Sequence, residues 1–130
     1  MLDTNIVSYL LKEQIPALKS RFFATPPADL VVSSITEAEV QYGLAKKPGA
    51  SKLRLAADTF LAGIAVLPGD SAAARAYGPL RAEQERKGRP FSTEDLMIAA
   101  HALSLGLILI TNDAAFSFVN GLRTEDWTIA

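Results

Sequence analysis

Ser92-Thr93-Glu94-Asp95-Leu96-Met97-Ile98-Ala99-Ala100-His101-Ala102, followed after Gly106 by Leu107-Ile108-Leu109-Ile110, is the stretch from which the fold is read. Its polar residues sit in the first four positions, and almost everything after them is apolar. A capping serine and two acids predict a helix start at Ser92. Gly106 predicts its end, after about Leu105. Leu107 to Ile110 is the most strand-like run in the chain, short, apolar and bounded by turn residues. A helix with its polar content in its first turn points that turn at something.

Working outward, the same alternation recurs. Downstream, Thr111-Asn112-Asp113 turns the chain into a helical turn around Ala114 to Phe118. Leu122-Arg123-Thr124 is a last strand, with Trp127 packing nearby. Upstream, Gly88-Arg89-Pro90-Phe91 connects to a helix capped by Asp70 or Ser71 that runs to about Lys87. Pro68-Gly69 is a turn, and Ile64 to Leu67 is a strand before it. Residues 50 to 63 form an amphipathic helix, with Leu53, Ala56, Ala57, Phe60 and Leu61 on one face. Ser34-Ile35-Thr36-Glu37 matches a capping box, and predicts a helix to about Lys47, stopped by Pro48-Gly49. Leu30 to Ser33 is a buried strand. Pro16 opens a helix to about Phe23, before a loop through Ala28. Met1-Leu2 is a very short strand, and a helix starts from about Thr4. Short apolar strands alternating with helices predict an α/β fold: a parallel sheet of five strands, covered by helices on both faces. Residues 1 to 130 read as one domain, without repeat or linker.

Composition narrows the chemistry. The chain has 130 residues, 49% apolar and 21% charged, an ordinary globular balance. The net charge of −1 gives no help to a strongly basic nucleic-acid binder, but does not exclude a local basic strip. There is no cysteine and one histidine, which removes thiolate and multi-histidine metal sites. A metal here would be a hard cation on oxygen ligands. No apolar run approaches the roughly 20 residues of a membrane span, and no signal peptide is visible. A soluble, cytoplasmic protein is expected.

Four acids converge on one predicted edge. In an α/β layer, the carboxyl end of a strand and the start of the next helix lie together, and ligands bind there. Asp3 ends the first strand, Glu39 lies in the second turn after the second strand, Asp95 lies in the first turn of the Ser92 helix, and Asp113 follows Ile110. Asp3, Asp95 and Asp113 each have a plainer reading as helix caps. Glu39 does not, because Glu37 already fills the capping-box position. Carboxylates crowded in one cleft repel, and some stay protonated unless a cation is present. Mg²⁺ or Mn²⁺ resolves the repulsion, and a carboxylate-held ion with waters suits phosphodiester hydrolysis.

Met1-Leu2-Asp3-Thr4-Asn5, Ser34 to Gly43, Gly88-Arg89-Pro90, Asp95 to Ala102, Thr111-Asn112-Asp113 and Gly121-Leu122 with Trp127 together resemble VapC-type PIN-domain ribonuclease toxins. The ordered set spans essentially the whole chain. The resemblance implies a three-layer PIN fold with a parallel five-strand sheet. It implies Mg²⁺- or Mn²⁺-dependent cleavage of RNA, with transfer RNA a common target, and inhibition by a VapB-like antitoxin. It carries catalytic and metal-binding roles to Asp3, Glu39, Asp95 and Asp113, with Asp3 and Asp95 closest to the ion. Asn5 and Thr111 would be polar groups supporting those ligands. A homodimer is expected, forming a heterotetramer or larger assembly with the antitoxin. The chain departs from the family in having only Met1 and Leu2 before the first aspartate. The first strand is then very short, or the true start lies upstream.

Other residues have plainer roles beside the functional ones. His101 lies about 240° round the helix from Asp95, which points it away from the acid and toward a structural role. Arg86, Lys87 and Arg89, with Arg81, form a basic run that either compensates a helix end or contacts the RNA backbone. Lys46 and Lys47 carry the same two readings. Ile6, Tyr9, Leu10, Leu53 and Phe60 are core, or an apolar groove for an antitoxin helix. Two rivals remain. A phosphomonoesterase with an aspartyl nucleophile would need a second acid where Asn5 stands. A catalytically silent binding or regulatory module of the same fold predicts that no metal binds, and has no need of all four acids.

Overall fold

The structure is a computed structural model and describes residues 1–130. Six helices are formed: α1 (Thr4–Leu11), α2 (Pro16–Ala24), α3 (Ser34–Ala45), α4 (Ser51–Ala62), α5 (Ser71–Arg86) and α6 (Thr93–Leu105). Four short strands lie among them: β1 (Val31–Ser33), β2 (Ala65–Leu67), β3 (Leu109–Ile110) and β4 (Thr124–Glu125). Single 3-10 turns cover Pro27–Asp29 and Ala114–Phe118.

The strands are parallel, in two pairs rather than one sheet. β1 pairs with β2, Val32 opposite Val66, and β3 pairs with β4, Leu109 opposite Thr124. The expected five-strand sheet is not formed as such: the strands make two pairs, and residues 1–3 contribute a single bridge rather than a strand. Leu2 contributes one parallel bridge to Ile110, and its N–H donates to the Val31 carbonyl at 2.9 Å. Asp3 N–H donates to the Ile110 carbonyl at 2.9 Å. Residues 1–3 thus lie between the two pairs and fix one to the other.

Side-chain alternation along these segments feeds two apolar layers, as a pleated sheet requires. Met1, Val31 and Leu109 face a cluster with Leu80 of α5 and Leu96, Ala99 and Ala100 of α6. Leu2, Val32 and Ile110 face the other cluster, with Ile6 and Val7 of α1 and Leu18 of α2. The helices therefore cover both faces, in three layers. Helix α6 is the most deeply set, with Leu96 and Ile98 through Ala102 all buried. Its alanines let α5 approach closely, and Gly106 ends it in the left-handed conformation at φ 65°.

Two local expectations shift. The cap of α3 is Ser33, whose hydroxyl accepts from Ile35 N–H at 3.1 Å; the expected Ser34 instead accepts from Gly69 N–H at 3.0 Å. The last strand begins at Thr124, because Leu122 turns inward onto the α6 layer.

Candidate functional site

Asp3 is the centre of the acid edge. It is only 2% exposed and caps α1, its Oδ1 accepting from Thr4 N–H at 2.7 Å. Its Oδ2 accepts from the Thr111 hydroxyl at 2.8 Å. Both oxygens are therefore held. Burial pushes the carboxyl up to about 6, against those hydrogen bonds, and the charges of Asp95 and Glu39 add to the rise. Those influences place Asp3, Asp95 and Glu39 in one electrostatic neighbourhood.

Glu39 comes from the second turn of α3 and is half-buried. The Thr4 hydroxyl donates to its Oε1 at 2.6 Å, and Thr4 Oγ1 also lies 3.0 Å from Thr36 Oγ1. Burial raises the Glu39 carboxyl, with Asp95 and Glu94 adding to it against the Thr4 bond. Asp95 is half-buried in the first turn of α6, its N–H capped by Ser92 Oγ at 3.1 Å. Burial raises it as well, against a hydrogen bond with Ser92, with the Asp113 and Glu94 charges adding to the rise. Ser92 caps the helix, and the Asp95 carboxyl lies beside that cap within reach of the Asp113 and Glu94 charges.

Asp113 sits at the margin. It is exposed and caps the 3-10 turn, Oδ1 accepting from Ala115 N–H at 2.9 Å. Thr111 links it to the centre, accepting from Asp113 N–H at 3.1 Å while donating to Asp3. Asn5 is exposed and its side chain makes no hydrogen bond within the protein; the connecting role falls to Thr4, which the sequence did not single out. The other omission is Glu94, an exposed acid whose charge acts on both Glu39 and Asp95. Only the acid-rich opening of α6 hinted at it.

Every side chain at this edge offers oxygen. No group of three acidic or imidazole side chains is drawn tightly enough to hold one ion directly. The donor set therefore suits an ion taken by one or two carboxylates and completed by water, the habit of Mg²⁺. His101 lies elsewhere, 2% exposed, its Nδ1 2.8 Å from Ser33 Oγ, with burial lowering its proton affinity.

The basic run beside α6 is partly engaged by the protein itself. Lys87 pairs with Glu83 at 2.8 Å and Arg81 with Glu85 at 2.9 Å. Arg89 donates to the Phe118 carbonyl at 2.9 Å and stacks on that ring. Arg86 alone of the run is exposed without such a partner. Away from the acids, α1, α2 and α4 frame an apolar groove of about 710 Å³, lined by Leu10, Phe22, Phe23, Phe60 and Ile64 among others. Of the expected groove residues, Leu10 and Phe60 line it, whereas Ile6 is fully buried in the core.

The PIN-domain family model matches residues 1–122. The tRNA(fMet)-specific endonuclease VapC of Shigella flexneri is 41% identical over 129 residues, covering 98% of this chain and 97% of that protein. Ribonuclease VapC2 of Haemophilus influenzae is 38% identical over 128 residues, covering 98% and 96%. Among solved structures, DNA-bound VapBC from Salmonella typhimurium superposes with a TM-score of 0.90 at 37% identity, covering 98% of this chain and 96% of that one. VapBC2 from Rickettsia felis, bound to a DNA fragment from its promoter, gives 0.88 at 30% identity, covering 96% of each.

Proposed function

The chain belongs to the PIN-domain family, and from that premise we propose that it is a metal-dependent endoribonuclease, the toxin of a toxin–antitoxin pair. The observation that carries the reading is the meeting of Asp3, Glu39 and Asp95: three carboxylates from separate elements, all raised by burial, Asp3 also by the charges of Asp95 and Glu39 and Glu39 also by that of Asp95. Such a set is costly to ionise in isolation and is relieved by a cation. The full-length likeness to VapC ribonucleases supports the substrate class. The two parallel pairs with residues 1–3 between them also support reading the strands as a five-strand sheet interrupted at its middle.

The geometry supports the following roles. Asp3 and Asp95 are the ligands we assign to Mg²⁺ or Mn²⁺, with Asp113 acting directly or through water. Thr111 and Thr4 N–H fix the Asp3 carboxylate in one orientation. A bound ion would lower the pKa of a ligated water and stabilise charge building on the phosphate. Glu39 is positioned by Thr4, and its raised proton affinity suits it to take a proton from the attacking water. In the hydrolysis, the water oxygen bonds to phosphorus and the bond to the leaving ribose oxygen breaks.

The partner is a VapB-like antitoxin, supported by the likeness to solved VapBC structures. The apolar groove between α1, α2 and α4 is the surface that would take an amphipathic antitoxin helix. The test of the activity is cleavage of bulk transfer RNA by the purified protein. Cleavage is expected with Mg²⁺ or Mn²⁺, is stopped by EDTA and returns when the ion is restored. Cleavage that continues unchanged in EDTA contradicts the proposal.

A further inference from the structure

We propose that the groove between α1 and α3 carries the RNA strand away from the acid edge, with Lys12, Lys46 and Lys47 holding a phosphate neighbouring the one that is cut. The inference rests on the ribonuclease reading above and assigns the path of its substrate.

The groove encloses about 190 Å³, and its lining joins two kinds of residue. Thr4 and Glu39, hydrogen-bonded to each other at 2.6 Å, belong to the acid cluster. Lys12, Lys46 and Lys47 lie at the other ends of the same two helices, as the residues that close α1 and α3. Seven residues of helix separate Glu39 from Lys46, about 10 Å along the axis. That spacing sets Lys46 and Lys47 back from the acid along the groove, on the side where a phosphate beside the scissile one would lie.

All three lysines are exposed, and none is in an ion pair. A helix C-terminus favours a lysine through its dipole. That does not account for three unpaired lysines meeting in one groove whose far end is a carboxylate. The groove is also open between its ends: a Cβ at Gly43 would meet nothing within 4 Å. Beside it Tyr42 is 65% exposed, with Lys46 Nζ 4.5 Å over its ring. Lys46 rests on that ring without an ion pair, and by swinging to a phosphate it would uncover the aromatic face for a base to stack on. The Arg86–Arg89 run offers less, since Lys87 and Arg89 are already engaged.

The test is fluorescence anisotropy with a short fluorescein-labelled single-stranded RNA in Mg²⁺ buffer, every protein carrying Asp95→Asn in the binding assay so that the RNA is not cut; cleavage is read without that change. The proteins are wild type, Lys46→Ala/Lys47→Ala, Lys12→Ala and an equal-charge control, Lys19→Ala/Arg75→Ala. At about 0.1 M salt the Lys46/Lys47 double variant is expected to bind at least about tenfold more weakly, and its log–log salt slope to flatten by about 0.7, the loss of one phosphate contact on a single strand. Lys12→Ala loses affinity in the same direction. The control changes neither quantity, and Lys46→Arg/Lys47→Arg, which keeps the charge, retains binding. Wild-type binding and cleavage with equal affinity across all variants overturns the groove while leaving the ribonuclease reading intact. Absence of RNA binding by wild type overturns both. Loss of affinity for a poly-glutamate peptide, with RNA affinity unchanged, assigns the groove to an acidic protein segment and overturns the proposal.

Discussion

Asp3 is an acid held where its own charge is poorly tolerated. Its carboxyl is pushed up to about 6 by burial, from 3.8 in a free chain. A raised carboxyl contributes stability in its protonated form. That contribution is full below the unfolded value and is lost as pH rises through about 6. Above that pH the ionised group costs up to about 3 kcal/mol, a shift of about two units. Asp3→Asn is therefore expected to raise the melting temperature of the metal-free protein at pH 7.5 by several degrees, and to leave it unchanged at pH 4. Added Mn²⁺ should stabilise wild type and not the variant. An Asp3→Asn protein less stable than wild type in EDTA at pH 7.5 contradicts this account of the site. The acid stood out in the sequence because it ends the first strand on the edge where three other acids arrive, although capping a helix would by itself account for it. Thr4 was not. Its partner Glu39 is 35 residues away, and a threonine beginning a helix looks like any other first residue.

At the scale of elements, caps and stops carried most of the information. Ser92, Asp70 and Gly106 bound their helices as their chemistry predicts. The strands were harder, since segments of two or three residues show too little alternation to locate their ends. The choice between Ser33 and Ser34 as the cap of α3 turned on Gly69, a contact no local pattern reveals. Helix α5 holds a different irregularity. Gln84 is 1% exposed, and neither its Nε2 nor its Oε1 has a hydrogen-bond partner. Burying an amide unpaired is unfavourable by about 1–3 kcal/mol. Gln84→Met keeps the shape and removes both polar atoms, so it is expected to stabilise the protein by about 1–2 kcal/mol in urea unfolding with an unchanged slope. A destabilised variant would mean that the amide is satisfied in solution, by water or by a neighbour.

For the whole molecule, the two apolar layers explain why the acids stay together. Residues 1–3 sit between the parallel pairs, with Met1 in one layer and Leu2 in the other, so Asp3 emerges from the middle of the fold. Glu39 and Asp95 approach it from helices packed on the sheet, α3 and α6. The edge on which they meet was legible from helix and strand order alone. Which polar groups orient each carboxylate was not, because those bonds join residues far apart in the chain. The central claim is that this edge cuts RNA, and Asp95 tests it best. It is half-buried, and the start of its helix is capped by Ser92. Asp95→Asn should therefore fold normally. The decisive measurement is the single-turnover rate of RNA cleavage by purified Asp95→Asn in Mn²⁺, against wild type. A fall of at least about 100-fold, on the order of 3 kcal/mol in the barrier, is predicted. Cleavage at the wild-type rate by the folded variant contradicts the account.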